Sequence, residues 1–382
     1  MTFMGGSTAP LSVKAASSLC RKILAKEKSA LLLAAHVKRW RFVGPTVLSL
    51  WTPAFLAMYF EAMKCMINLT EFALFEGQVT KDMIKGWLSI PSLNSLALHH
   101  CQIEEDFSSR NLRKFKTLRL RKLLIQSKRD TLGTSLLNPW IDFSCLHHLQ
   151  IGLHDKGPPL SLPDDDLSLV LLEVLATDIG PCIGLMKKSP KLKILRLPQL
   201  YPIPHDEDWA KELDSSHLPA LAEIEAPWEY CLKLIPGRPI TTLKLADMCP
   251  KRNPEILQRS ASLIRYLKIP YQAYVKFPFL NHFSSLQSLE VFNSFERKVT
   301  VQEILNSIKD VKTGHPELRS LCISLEGEGI SQIFDRESQE DETLKIIEST
   351  FPMIEKVELV DHRVRQMYYH VGDEMWERGS IC

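Results

Sequence analysis

Two short clusters carry side chains that could ligate a metal: His99-His100-Cys101 and Cys145-x-His147-His148. Imidazole and thiolate are ligands that zinc accepts, but a structural site needs four of them converging, usually as pairs at finger-like spacing. No second pair stands at such a spacing, so no metal is expected. The run Asp164-Asp165-Asp166 offers the clustered oxygens a divalent cation needs. It follows Pro158, Pro159 and Pro163 and precedes an apolar phrase, which marks it as a solvated loop. Between Arg110 and Lys122 stand Arg113, Lys114, Lys116, Arg119 and Arg121, a basic density that could meet phosphates. Only Phe115 interrupts it with an aromatic ring, and the acidic stretches 205–208 and 326–342 offset it, so nucleic acid is not the expected partner. A phosphate-cradling glycine loop, a Gly-x-Ser-x-Gly elbow and a His-Glu-x-x-His pair are all missing. No catalytic residue, metal or cofactor is assigned, and the chain is not expected to be an enzyme.

The elements that would position any site follow from a recurring phrase: apolar, two residues, apolar, one residue, apolar. It reads Leu93-x-x-Leu96-x-Leu98, Leu146-x-x-Leu149-x-Ile151, Leu192-x-x-Leu195-x-Leu197, Leu286-x-x-Leu289-x-Val291 and Leu318-x-x-Leu321-x-Ile323. Less regular copies begin at Val37, Leu69, Phe115, Leu221, Ile240, Ile264 and Ile354. The gap from 146 to 192 is twice the usual spacing, and its midpoint holds a thirteenth copy, Leu169-x-x-Leu172-x-Val174. Self-similarity at such a period signals a stack of supersecondary units, none of which buries its apolar edge alone.

Proline supports the same period. Pro91, Pro190, Pro219, Pro316 and Pro352 each stand two residues before a phrase, where a helix must stop and extended chain begin. Between phrases, Thr300-x-x-Glu303 is a capping box before Ile304, Leu305 and Ile308. Met83, Ile84, Trp87 and Leu88 form a helical stripe, as do Leu344, Ile347 and Phe351. The expected architecture is α/β: a curved solenoid with a parallel sheet on its concave face and helices and loops on its convex face. Its parts are a partly helical or disordered segment over 1–29, an array of about thirteen repeats over 30–362, and a tail or cap over 363–382. Residues 326–342 read as a flexible acidic insertion.

Of the 382 residues 45% are hydrophobic and 24% charged, with a net charge of +2, all ordinary for a water-borne chain. Nine cysteines without CxxC pairs suit a reducing compartment, so a cytoplasmic or nuclear location is expected. Met1 to Cys20 lacks the apolar core of a secretory signal. Phe42 to Phe60 is uncharged but interrupted by Gly44, Pro45 and Pro53, which suits a strand end, a loop and a core helix from Pro53 rather than a membrane span.

These repeats resemble the irregular leucine-rich repeats of the ribonuclease-inhibitor-like superfamily, in particular those of fungal F-box/leucine-rich-repeat proteins. Ala30 to Phe42 is similar to the segment that opens their arrays. The resemblance implies protein binding, with substrate recognition for an SCF-type ubiquitin ligase and, if an F-box stands upstream, an SCF adaptor as further partner. It also implies that Cys101, three residues after Leu98, ties down a turn. Residues 1–29 depart from the pattern, since they hold no F-box. A scaffold without a ligase role is the alternative, and an enzyme with an unrecognised site the second.

Because side chains alternate along a strand, the third, fifth and seventh phrase positions face away from the core. The candidate partner-binding residues on that face are Arg39, Arg41, Phe75, His99, Arg119, Arg121, His148, Arg196, Glu225, Lys244, Tyr266, Lys268, Glu290, Phe292 and Glu358. Charged and aromatic side chains of this kind build protein-recognition surfaces.

Overall fold

A computed structural model describes residues 13–43, 53–103, 119–126, 143–153, 162, 166–176, 180–198, 213–246, 258–260, 262–272, 283, 285–293, 303–304, 317–325, 337–361, 365–371 and 375–380. The chain divides into two compact units, Met1–Leu192 with Gln199–Tyr201, and Lys193–Pro198 with Pro202–Cys382.

The first unit opens with helices α1 (Val13–Leu24) and α2 (Lys28–His36), which lead into strand β1 (Arg39–Val43). Then come α3 (Pro53–Lys64), β2 (Glu71–Phe75), β3 (Gln78–Val79), α4 (Lys81–Leu88), β4 (Ser95–His99), β5 (Gln102–Ile103), β6 (Lys122–Gln126), β7 (His148–Leu153), β8 (Leu171–Ala176) and α5 (Gly180–Lys187). The uncharged stretch from Phe42 thus ends one strand and begins again as a helix at Pro53, while 44–52 lie outside the described residues. Strands β1, β2, β4, β6, β7 and β8 pair in that order, all parallel. The fourth and sixth phrase positions are the buried ones, from Trp40 and Phe42 to Leu172 and Val174, each 2% exposed or less. Burial of one such leucine contributes about 1.5–3 kcal/mol.

One hydrogen-bond pattern fixes the stacking register. The carbonyl at the second phrase position accepts two consecutive N–H groups of the next repeat. Lys38 O accepts from Thr70 and Glu71 at 2.9 and 3.1 Å, Thr70 O from Asn94 and Ser95 at 3.1 and 3.0 Å, and Asn94 O from Arg121 and Lys122 at 2.8 and 3.0 Å. A carbonyl has two lone pairs, so each strand start is satisfied by a single atom of its predecessor. The first position closes the preceding turn: Leu93 N donates to Ile90 O at 3.2 Å and Leu192 N to Ser189 O at 3.1 Å, across Pro91 and Pro190.

This ladder corrects one sequence expectation. Phe115 lies outside the described residues, and the strand of its repeat is β6, whose buried pair is Leu123 and Ile125. The working phrase is Leu120-x-x-Leu123-x-Ile125, five residues later. Both frames present apolar residues at the same spacing, and only pairing with β4 separates them: Leu96 stands opposite Leu123 and Leu98 opposite Ile125.

Aromatic rings fill the first repeats. Phe42 lies 5.1 Å from Tyr59 and 5.5 Å from Phe72, which lies 5.6 Å from Trp87. The Tyr59 hydroxyl is 2.7 Å from that of Ser17 on α1. In α4 the Thr80 hydroxyl accepts from Met83 N at 3.2 Å, and Met83, Ile84 and Trp87 are buried.

The second unit contains β9 (Ile194–Arg196), β10 (Glu223–Ala226), α6 (Trp228–Leu234), β11 (Thr242–Leu245), β12 (Tyr266–Pro270), β13 (Ser288–Asn293), β14 (Ser320–Leu325), α7 (Glu337–Thr350), β15 (Lys356–Asp361), β16 (Arg365–Val371) and β17 (Met375–Ser380). Strands β9 to β15 are parallel, each paired with the next. The shared-carbonyl pattern recurs, for example at Arg265 O, which accepts from Gln287 and Ser288 at 2.8 and 2.9 Å. The last two strands are antiparallel, so the C-terminal residues add a hairpin to the sheet. Residues 337–342, part of the expected acidic insertion, are instead the start of α7, anchored by buried Leu344 and Ile347 and ended before Pro352. Thr300 of the expected capping box lies outside the described residues.

A buried guanidinium closes α6. Arg238, 1% exposed, donates to the carbonyls of Leu234 at 3.0 Å, His217 at 2.9 Å and Asp214 at 2.5 Å. Five donors in one fork satisfy helix-end and turn carbonyls that would otherwise be stranded from water.

Candidate interaction surface

In the second unit the outward face of the sheet is a lattice of opposed charges and rings. Parallel pairing sets Glu225 beside Lys244, Lys244 beside Lys268, and Lys268 beside Glu290. Two lysines side by side repel, and each is neutralised elsewhere. The Lys244 ammonium lies 2.7 Å from Glu223, and that of Lys268 lies 2.6 Å from Glu290. Arg196 reaches Glu223 at 3.3 Å and Glu225 at 3.7 Å. Rings complete the pattern: Lys244 lies 5.8 Å from the centre of Tyr266 and Lys268 5.2 Å from that of Phe292, within cation–π range. The Tyr266 hydroxyl donates to Glu290.

These contacts set the ionisation of the face. Burial disfavours the Glu223 carboxylate, but Lys244 and Arg196 outweigh it and hold its pKa below the ordinary value. Burial, then the acceptor Glu290, pushes the Tyr266 phenol far up, so it stays a donor. Cys322, opposite Glu290 and Glu358, has its thiol pushed up to about 12 by burial first and those two carboxylates next.

Glu358 differs from the sequence expectation. It sits in the outward row of β15, yet only 6% of its side chain is exposed, because Arg365 of β16 and Lys356 cover it; Lys356 lies at 3.0 Å. It belongs to an ion cluster in which the carboxylate is covered and its two cations stay partly exposed. The repeat phrase carries no signal for Arg365, since that residue lies beyond the last copy. Cys322, at the fifth position of the Leu318 copy, and Glu223 were both legible from the phrase.

In the first unit the outward face is sparser in charge. Arg39 pairs with Glu71 at 2.9 Å. Phe75 and His99 stack at 4.2 Å with their planes 3° apart, and His99 Nδ1 lies 3.2 Å from Gln126. Gln150 donates to Glu173 at 3.2 Å. His148 and Arg41 face outward on β7 and β1, and Ala73, Ala97 and Leu124 share the row of Arg41. Arg119 and Arg121 are exposed but precede β6, the consequence of the shifted phrase.

The histidine–cysteine clusters serve other ends. Cys101 is buried and its thiol donates to Leu74 O at 3.3 Å, tying one repeat to the turn of the next. His147 Nδ1 lies 2.8 Å from Cys145 O. Among the described residues, no three His, Cys, Asp or Glu side chains are grouped to hold an ion. Among them too, no helix is long and apolar enough to cross a membrane.

One parallel strand per repeat, buried at the fourth and sixth phrase positions and joined by a shared-carbonyl ladder, defines the class: this is a leucine-rich-repeat fold. No family model matches the sequence, and no curated protein does. Among solved structures, the chain is similar at 16% identity to an internalin from Listeria monocytogenes, covering 80% of this chain and 87% of that one with a TM-score of 0.35. It is also similar at 16% identity to Rad7 in the yeast Rad7–Elc1 complex, over 90% of this chain and 82% of that one with a TM-score of 0.36. A third likeness, to TLR13 in its complex with ssRNA13, has 16% identity, 69% and 43% coverage and a TM-score of 0.38. The class rests on the strand ladder itself.

Proposed function

We propose that this protein is an interaction scaffold that recognises partner proteins on the outward face of its sheet, in the manner of F-box/leucine-rich-repeat proteins that select substrates for an SCF-type ubiquitin ligase. The observation that carries the reading is the Lys268 ammonium, held between the Glu290 carboxylate at 2.6 Å and the Phe292 ring at 5.2 Å. A charge and a ring held in place on stiff strands lose little freedom when a partner docks, which is what makes a contact worth energy. The ligase link rests on the resemblance of the repeats and of Ala30 to Phe42.

The test is affinity purification of the full chain from cells, with the SCF adaptor and cullin monitored by mass spectrometry. Captured proteins lost on Lys268→Ala with Phe292→Ala, with the fold intact by circular dichroism, support the surface. A partner that still binds the double variant removes it. Failure of adaptor and cullin to co-purify ends the ligase reading and leaves a stand-alone scaffold.

A further inference from the structure

The outward faces of the two units treat positive charge differently. In the second unit Arg196, Lys244, Lys268, Lys356 and Arg365 are each within ion-pair distance of a carboxylate. In the first unit Lys38, Arg41, Arg119, Arg121 and Lys122 have no carboxylate partner among the described residues. All five lie on the face, or at the leading end, of strands β1 and β6, which only β2 and β4 separate. The one carboxylate in the first row of these strands, Glu71, already binds Arg39. A cation held by its own neighbour is a fixed contact with its charge cancelled, whereas an unpaired one attracts an incoming anion.

We infer that this part of the first unit docks an extended, acidic segment of a partner protein. The inference rests on the outward-face reading above and names the chemistry of its partner. Strands lie about 4.8 Å apart, so β1 and β6, three spacings apart, are separated by about 14 Å. An extended chain covers about 3.3 Å per residue, so it bridges that span in about four residues. Acidic residues at i and i+4 of a segment crossing the strands therefore meet Arg41 at one end and the Lys122 cluster at the other. Between them the segment lies over Ala73 and Ala97, with Leu124 beside Lys122 at its far end, and these suit apolar side chains at the intervening positions. Nucleic acid fits less well: a base needs an open aromatic face, and Phe75 is stacked on His99 on one side and stands opposite Val43 of β1 on the other.

The probe is a fluorescein-labelled peptide of about twelve residues with two glutamate pairs four residues apart and valine and leucine between them. Its glutamine counterpart and a short single-stranded oligonucleotide are the controls. Fluorescence anisotropy with the full chain is expected to show glutamate-dependent binding that weakens with salt. It should weaken about tenfold in Arg41→Glu with Lys122→Glu. Arg41→Gln with Lys122→Gln, which adds no repulsion, is expected to weaken it less and guards against a variant that misfolds. No preference for glutamate over glutamine, binding unchanged in both variants, or tighter binding of the oligonucleotide each overturns the inference. None of these touches the scaffold reading, which stands or falls on the Lys268 and Phe292 variants.

Discussion

Arg365 of β16 donates to the carboxylate of Glu358 on β15, joining the antiparallel hairpin to the last parallel strand through a side chain that is only 6% exposed. A carboxylate so covered needs its partners. With Arg365→Ala, Lys356 remains at 3.0 Å, so the expected loss of stability is about 1 kcal/mol, the lower end of the cost of stranding a buried charge. Chemical denaturation of the variant against the natural chain measures it.

Acid should loosen both ion clusters of the second unit. Burial opposes ionisation of Glu223 and Glu358, but Lys244 and Arg196 in one case, and Arg365 and Lys356 in the other, hold both pKa values below 4.5. A depressed carboxyl contributes stability that is present above its unfolded pKa and is lost as the pH falls through the folded one. Melting temperature should therefore hold near neutrality and drop below about pH 4.5. Glu223→Gln with Glu358→Gln should melt lower at pH 7 and show a shallower acid slope. An acid slope as steep as that of the natural chain counts against this account.

The register of the fourth repeat makes a sharp pair of substitutions. Leu123 is 1% exposed and points inward, whereas Leu124 faces outward. Leu123→Ala is expected to cost about 2–5 kcal/mol and Leu124→Ala about 0.5 kcal/mol or less. Equal effects in urea titrations rule out Lys122–Gln126 as the strand.

Gly86 lies in α4 beneath the Phe60 ring, and a Cβ there would fall 2.3 Å from the ring carbons. Alanine ordinarily favours a helix over glycine by about 1 kcal/mol. Here the ring must move, so Gly86→Ala is expected to destabilise by about 1–3 kcal/mol. A rise in melting temperature contradicts that packing.

Burial pushes the Cys20 thiol up to about 12, and burial followed by the hydrogen bonds at Cys101 leaves that thiol at about 11. Cys65 is exposed. Alkylation of the native chain at pH 8 with iodoacetamide should therefore label Cys65 ahead of Cys20 and Cys101, which stay protected until unfolding, as peptide mass mapping reads out.

Most of the array was legible because its signal is local. A strand buried on one side must place apolar side chains two residues apart, and a helix must stop before it, so Leu96 and Leu98 after Pro91 announce β4 without any knowledge of neighbours. The halved gap located β8 by the same rule. The rule failed at Phe115, where two frames five residues apart offer equal apolar spacing.

The alternation of inward and outward positions was therefore decided by the chain itself, through the two-residue period of extended backbone. Which outward charges cancel was decided only by stacking. Lys268 and Glu290 are distant in sequence, and nothing local tells whether a cation meets a carboxylate 2.6 Å away or, as at Arg41, none among the described residues. The same is true of Glu358, outward by its phrase yet covered by an arginine from a hairpin with no repeat signal. Local periodicity sets the direction of a side chain, and the register between strands sets its partner.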